Sequence, residues 1–326
     1  MKKKHILIVD DEPNNLQVLR QILRDDYQLT FARSGAEALS RAEKHCPDLI
    51  LLDIMMPEMD GYEVCRRLKH NINMRHMPVI FISAMNEVED EALGFEVGAV
   101  DYLTKPVSRA IVKARVKTHL SLVRMDELKQ TQLELIERLG CAAEYKDNET
   151  GLHVIRMGHY ARVIGRGYGM DEEEVELLFH AAPMHDIGKI GIPDHILNKP
   201  GKLTPEEWEV MHKHPEFGAD IIGDHRCRLL EMAKTIALTH HEKWNGKGYP
   251  NQLAGEEIPL VGRIVAISDV FDALTSRRPY KEPWPIDKTM RVIEEESGHH
   301  FDPGVVAVFQ AVLPDILDIK EQWAEK

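Results

Sequence analysis

The sequence predicts two domains of different class, a doubly wound α/β parallel sheet followed by an all-α helical bundle. Up to about residue 120, short continuous apolar runs alternate with amphipathic segments. Strands buried on both faces and separated by helices mean a parallel sheet. After Gly140 strand-like alternation is nearly absent and amphipathic helical stretches follow one another. At 326 residues the chain can hold two domains with full cores, since typical domains run to roughly 100 to 200 residues.

In the first domain the runs HILIVDD, DLILLD and PVIFISA are the strands, with NNLQVLRQIL and GAEALSRAEKH as helices between them. Function in such sheets sits at the carboxyl ends of the strands, where Asp10, Asp11, Asp53, Ser83 and Lys105 fall. Three carboxylates at one edge repel each other unless a cation lies among them, and oxygen-only ligands suit Mg²⁺. Asp53 is the candidate nucleophile for a phosphoryl group, with Mg²⁺ and Lys105 neutralising charge and Ser83 hydrogen-bonding a phosphoryl oxygen.

With VDDEP, LLDIMMPEMDG, the SA pair and Lys105-Pro106 in view, this segment resembles a two-component receiver domain. The resemblance implies a flavodoxin-like sheet of five strands and phosphorylation of Asp53 by a cognate histidine kinase. It also implies Mg²⁺ held at Asp10, Asp11, Asp53 and Met55, switch residues Ser83 and Tyr102, and a cis Lys105-Pro106 bond. A receiver that is never phosphorylated is the alternative.

Residues 108–139 contain no proline or glycine and are rich in Leu, Glu, Lys, Gln and Arg, which predicts one continuous helix from the last receiver helix to the second domain. Val116, Leu120 and Val123 form one stripe and Leu128, Leu135 and Leu139 another, out of step with the first, so a clean heptad is absent. The expected organisation is a receiver over residues 1–120, this connector, and a second domain over 140–326. A homodimer paired along the connector is expected, against a solvated connector packed on its own domain.

Twelve of the 17 histidines lie between His153 and His300. Around His185-Asp186 gather Glu149, His153, His214, His240, His241 and Asp269, all of metal-ligating type. Glu149 and His153 are four apart and share a helix face. Asp186 can bridge two metals, and the adjacent His240 and His241 can both ligate only at a helix end or around a metal pair. A bundle with inward ligands is an established frame for a multinuclear site. Mixed His/carboxylate ligation suits Fe, Mn, Co, Ni or Zn.

The stretches ETGLHVIR, HDIGK, KPGKLTPEEW, HHEKWNGKGYP, RIVAISDVFDALTSRRPYK and HFDP give this domain a close resemblance to the HD-GYP phosphodiesterases of the HD superfamily, from about Leu139 to Leu313. The resemblance implies hydrolysis of cyclic di-GMP to pGpG, and on to GMP, at two or three transition-metal ions, with iron the favoured metal. By position the metal ligands are Glu149, His153, His185, Asp186, His214, His240, His241 and Asp269, and Glu149 points to the three-metal subgroup. The catalytic residues are Lys189, His185 and Asp186. Substrate contacts are Arg278 and Lys281 at the second phosphate and Tyr249 in the GYP turn, which is also a docking point for a GGDEF-type partner. Asn245 stands where the family has aspartate, which puts the geometry of that loop in question. His212 rivals His214, but only His214 precedes the motif proline. A hydrolase for another cyclic dinucleotide and an idle nucleotide-sensing module remain the alternatives.

The net charge of −13 disfavours nucleic acid and anionic membrane as partners. Cys46, Cys65, Cys141 and Cys227 show no paired spacing, which argues against a disulfide framework or thiolate metal site. No run of about 18 apolar residues and no leader pattern is seen, so the expected location is cytoplasmic without membrane insertion.

Overall fold

The computed structural model describes residues 3–84, 88–147, 151–276 and 282–324, with the backbone alone for 88–91 and 126–127. Two compact units are present, Met1–Gln130 and Thr131–Lys326.

In the first unit β1 (His5–Val9), β2 (Gln28–Ala32), β3 (Leu49–Asp53), β4 (Val79–Ser83) and β5 (Asp101–Thr104) form one parallel sheet in the order β2-β1-β3-β4-β5. Helices α1 (Pro13–Leu23), α2 (Gly35–His45), α3 (Gly61–His70), α4 (Val88–Glu96) and α5 (Arg109–Lys146) connect and follow the strands. This is the doubly wound α/β class that the sequence predicts. β3 and β4 are buried along their whole length, as their unbroken apolar runs require. Alternate residues feed opposite faces: Leu7, Val9, Ile50 and Leu52 join one core, while Ile6, Ile8, Leu49 and Leu51 join Val112, Val116 and Leu120 of α5 in the other.

Strand register places the functional edge. Val9 pairs with Leu52, so the next residues, Asp10 and Asp53, stand side by side. Ser83 pairs with Thr104, which sets Lys105 beside the end of β4. The strand order reverses between β1 and β3, the switch point at which sheets of this class bind ligands.

Helix α5 corrects one expectation. It does not end near Leu139 but runs on through Gly140 to Lys146, with the boundary between the units inside it. Gly140 stays helical because tertiary packing demands a missing side chain: a Cβ there would lie 2.4 Å from the Pro183 carbonyl oxygen. The first of the two α5 stripes includes Val116 and Leu120, both in the core, whereas Leu128, Leu135 and Leu139 are 58%, 58% and 52% exposed.

The second unit is helical throughout its named elements: α6 (Gly151–Tyr168), α7 (Glu172–Ala181), α8 (Asp194–Leu197), α9 (Pro205–Met211), α10 (His214–Ile222), α11 (Arg228–Thr239), α12 (Leu260–Thr275), α13 (Ile286–Glu295), α14 (Pro303–Ala311) and α15 (Leu313–Gln322). Short 3₁₀ segments at Ala182–Met184 and Ile187–Gly191 flank His185 and Asp186. Met157, Tyr160 and Ile164, spaced three and four apart on α6, bury one stripe against Leu178 of α7, Ile236 of α11 and Phe271 of α12. Among the described residues no helix is long and apolar enough to cross a membrane.

Candidate metal centre and phosphoacceptor site

At the carboxyl edge of the sheet, ligand atoms of Asp10, Asp11 and Asp53 lie within 4.8 Å of one another. Lys105 Nζ donates to Asp10 Oδ2 at 3.0 Å and contacts Asp53 Oδ2 at 2.9 Å. Burial raises the Asp53 carboxyl above its ordinary range, with Lys105 opposing the rise and Asp10 adding to it. The Met55 backbone N–H also donates to Asp53, while the Met55 side chain is exposed. The Ser83 side chain is buried at the end of β4. Tyr102 is buried against Phe81 and Phe95, and its hydroxyl fits against α4 because residue 94 is glycine: a Cβ there would lie 1.7 Å from that oxygen. The Lys105-Pro106 bond is cis. Three acids around one lysine leave net negative charge, which suits a divalent cation of the Mg²⁺ type.

In the helical unit the chain ends of several elements converge. His185 follows the Ala182–Met184 segment, His214 opens α10, and His240 and His241 follow α11, so the adjacent pair stands at a helix end. His185 Nδ1 lies 3.0 Å from the Ala182 carbonyl, His214 Nδ1 2.8 Å from that of Met211, and His240 Nδ1 3.1 Å from those of Ile236 and Ala237. A carbonyl only accepts, so each Nδ1 carries a proton, and in the neutral ring each Nε2 keeps a lone pair.

Those lone pairs meet at Asp186. Its Oδ1 lies 3.1 Å from His214 Nε2 and 3.4 Å from His240 Nε2, and its Oδ2 lies 3.5 Å from His185 Nε2. All three Nε2 atoms and Asp186 Oδ1 are buried without a hydrogen-bond partner. Acceptors facing acceptors in a dry site are costly unless a cation lies between them. Ligand atoms of Asp186, His214, His240 and His241 all lie within 4.8 Å of one another, so the donor set fits a transition metal. Burial lowers His185 to about 4, and burial together with His240 lowers His241 well below its usual value. Both rings are therefore neutral near pH 7, the state in which imidazole ligates a metal.

His153 reaches the same region from α6. Its Nε2 is 3.7 Å from Asp269 Oδ1, and its Nδ1 is 2.8 Å from Asp272 Oδ2. Burial opposes the His153 cation, but Asp272 lifts the ring to about 9. Asp272 also takes a bidentate pair from Arg156, at 2.7 Å on each oxygen, and its carboxyl is held far below the usual range despite burial. Glu144, buried near the end of α5, has a ligand atom within 4.8 Å of those of His153 and His185. Lys189 contacts Asp186 Oδ2 at 2.8 Å and Asp147 Oδ2 at 2.5 Å. Glu149, Arg278 and Lys281 lie outside the described residues.

The family model described as a response regulator receiver domain matches residues 6–117, and one described as an HD domain matches residues 121–305. The "Probable cyclic di-GMP phosphodiesterase" of Vibrio cholerae is 42% identical across 98% of this chain and 80% of its own length. The "Cyclic di-GMP phosphodiesterase response regulator RpfG" of Xanthomonas campestris is 38% identical across 93% of this chain and 86% of its own. The chain belongs to the HD-GYP response regulators. A narrower similarity, 47% identity over 56% of this chain and 35% of the other, joins it to "3'3'-cGAMP-specific phosphodiesterase 2" of Vibrio cholerae.

The GYP turn of this HD-GYP domain is built against the histidines. Tyr249 stacks on His241 at 4.8 Å between ring centroids and on His212 at 4.1 Å. His212 is thus a ring partner of Tyr249, and His214 is the histidine whose Nε2 reaches Asp186. Burial raises the Tyr249 hydroxyl far above its usual range, keeping it a neutral donor. Gly248 lets the turn fold back on the strand of chain after His241, since a Cβ there would lie 2.4 Å from Glu242 Cα. Buried Glu242 accepts from Asn251 N at 2.7 Å and Leu253 N at 3.1 Å and so anchors the far side. Asn245, the departure from the family pattern, accepts from the Lys247 backbone N–H at 3.0 Å. The turn therefore closes with the amide in place of the acid.

Sequence reasoning did not single out Asp272, Glu144 or Glu242. Asp272 is three residues past Asp269 on α12, so helical spacing was an available signal for it. Glu144 carried no such signal, because its place depends on α5 continuing past Gly140.

Proposed function

We propose that this response regulator hydrolyses cyclic di-GMP at a multinuclear metal centre, under control of phosphorylation at Asp53 by a histidine kinase. The observation that carries the reading is the meeting of three buried Nε2 atoms, none with a hydrogen-bond partner, with the Asp186 carboxylate. The proposed ligands are His153, His185, Asp186, His214, His240, His241 and Asp269, with Glu149 and Glu144 as the carboxylates of a third position. Iron is the proposed metal, with Mn, Ni, Co and Zn as substitutes, and Mg²⁺ is proposed at Asp10, Asp11 and Asp53. When bound, such cations supply Lewis acidity toward the phosphodiester and activate water at neutral pH.

The chain's own residues do the rest. Asp186 fixes the spacing of the ligand set, and the Lys189 ammonium donates to a phosphoryl oxygen of the attacked ester. Arg278 and Lys281 hold the second phosphate, and Tyr249 closes the pocket and offers its hydroxyl. Water adds across one P–O bond, leaving a 5′-phosphate and a free 3′-hydroxyl in pGpG, and a second hydrolysis gives GMP. Two copies pair along Leu128, Leu135 and Leu139, which are apolar and more than half exposed. The GYP turn is the proposed contact for a GGDEF-type partner, and the proposed spans are a receiver over 1–120 and a phosphodiesterase over 140–326.

The similarity of the second unit to a 3'3'-cGAMP-specific enzyme favours that dinucleotide as the second reading. The test is to prepare the chain under reducing, metal-replete conditions, count metals per chain and measure turnover of both dinucleotides. The His185→Ala/Asp186→Ala variant is expected to lose metal and all turnover. Retained turnover in that variant defeats the site, and metal occupancy without turnover in the parent favours a nucleotide-sensing module.

A further inference from the structure

The last turn of α5 does more than end a connector. Lys146 Nζ donates to the carbonyls of Ile192 at 2.6 Å, Ile190 at 2.7 Å and Lys189 at 3.3 Å. An ammonium has three N–H donors; the Lys189 carbonyl already accepts from the Ile192 N–H at 3.1 Å, so what Lys146 adds is chiefly its bonds to the Ile190 and Ile192 carbonyls at the end of the 3₁₀ segment Ile187–Gly191. Lys146 therefore caps the segment that carries Lys189, with Asp194 Oδ1 a further 3.4 Å contact. Asp147, the next residue, accepts from Lys189 Nζ at 2.5 Å. Asn198 Nδ2 donates to the Lys146 carbonyl at 3.2 Å and fixes the turn from its other side. None of these bonds serves the hydrogen bonding of α5 itself.

We propose that Lys146 and Asp147 are positioning residues for Lys189, one holding its backbone and the other its ammonium. The inference rests on the reading of Lys189 as the donor to the attacked phosphate. The two act at different points: Lys146 fixes where the lysine stem starts, and Asp147 fixes where the charge ends, leaving the Asp186 contact to the third direction. The helix that ends in this clamp is the one whose first turns bury Val112, Val116 and Leu120 in the α/β core.

The experiment uses the full-length, metal-loaded chain with cyclic di-GMP. Lys146→Met and Asp147→Asn are each expected to lower kcat by about 10- to 100-fold, the size of effect that ångström-scale misplacement of a catalytic group produces. KM and metals per chain stay within about twofold, because neither residue is a ligand. In a Lys189→Met background both substitutions are expected to have no further effect, since residues acting through one group are not additive. Full kcat in both single variants, an undiminished loss in the Lys189→Met background, or metal lost in step with kcat overturns the proposal. Should Lys146→Met fail to fold, Asp147→Asn carries the test, as it exchanges one atom on a partly exposed side chain. Parental kcat in Lys189→Met would overturn the reading of Lys189, a result distinct from failure of the clamp alone.

Discussion

Asp272 shows how one buried side chain can serve both stability and chemistry. It accepts from His153 Nδ1 and from two nitrogens of Arg156, and both Asp272 and Arg156 are almost fully buried. A carboxylate on the far nitrogen of a metal-ligating histidine orients the ring and raises its basicity. Asp272→Asn is expected to lower metal affinity about 10- to 100-fold, measured by competition with a chelator. It also removes the carboxylate charge that faces the buried Arg156 guanidinium, which costs roughly 3–5 kcal/mol. All four tryptophans, Trp208, Trp244, Trp284 and Trp323, lie in the helical unit, so urea unfolding followed by their fluorescence reads that cost there. An unchanged midpoint would show that Arg156 finds another partner.

At the scale of elements, the metal centre depends on close approach of backbones. The 3₁₀ segment Ile187–Gly191 lies against α10 because residue 188 is glycine: a Cβ there would meet the His214 carbonyl oxygen at 1.8 Å and Gly218 N at 2.4 Å. Neither atom belongs to a flexible side chain. Gly188→Ala is expected to push α10 away, move His214 off Asp186 and destabilise the helical unit by about 1–3 kcal/mol or more. Metal analysis and tryptophan-monitored melting check it, and full metal content at the parental melting temperature would refute it. Gly140 is a similar case, yet it had the opposite effect on prediction. Read locally, it argues for a helix end; held against Pro183, it is what lets α5 pass.

For the whole molecule, phosphorylation chemistry and phosphodiester chemistry lie in separate compact units that share one helix. Asp53→Asn removes the proposed phosphoacceptor while leaving Asp10 and Lys105 in place. The parent is expected to change its rate of cyclic di-GMP turnover when given a small phosphoryl donor, and the variant is expected not to. An equal response from both would separate Asp53 from control of the enzyme.

Much of this was legible before any coordinates. Continuous apolar runs alternating with amphipathic helical segments identify buried parallel strands, because helices on both sides of a sheet hide both faces of HILIV, LILLD and VIFIS, and acids at their ends mark the working edge. Residue type, together with the resemblance to the HD-GYP family, likewise picked out His185, Asp186, His214, His240 and His241. What tertiary structure alone decided was convergence at contact distance. The meeting of the His185, His214 and His240 Nε2 atoms at Asp186 depends on how separate helix ends pack, and the course of α5 on the shape of the Pro183 turn. Both depend on atoms tens of residues away in the chain, and local pattern carries no information about them.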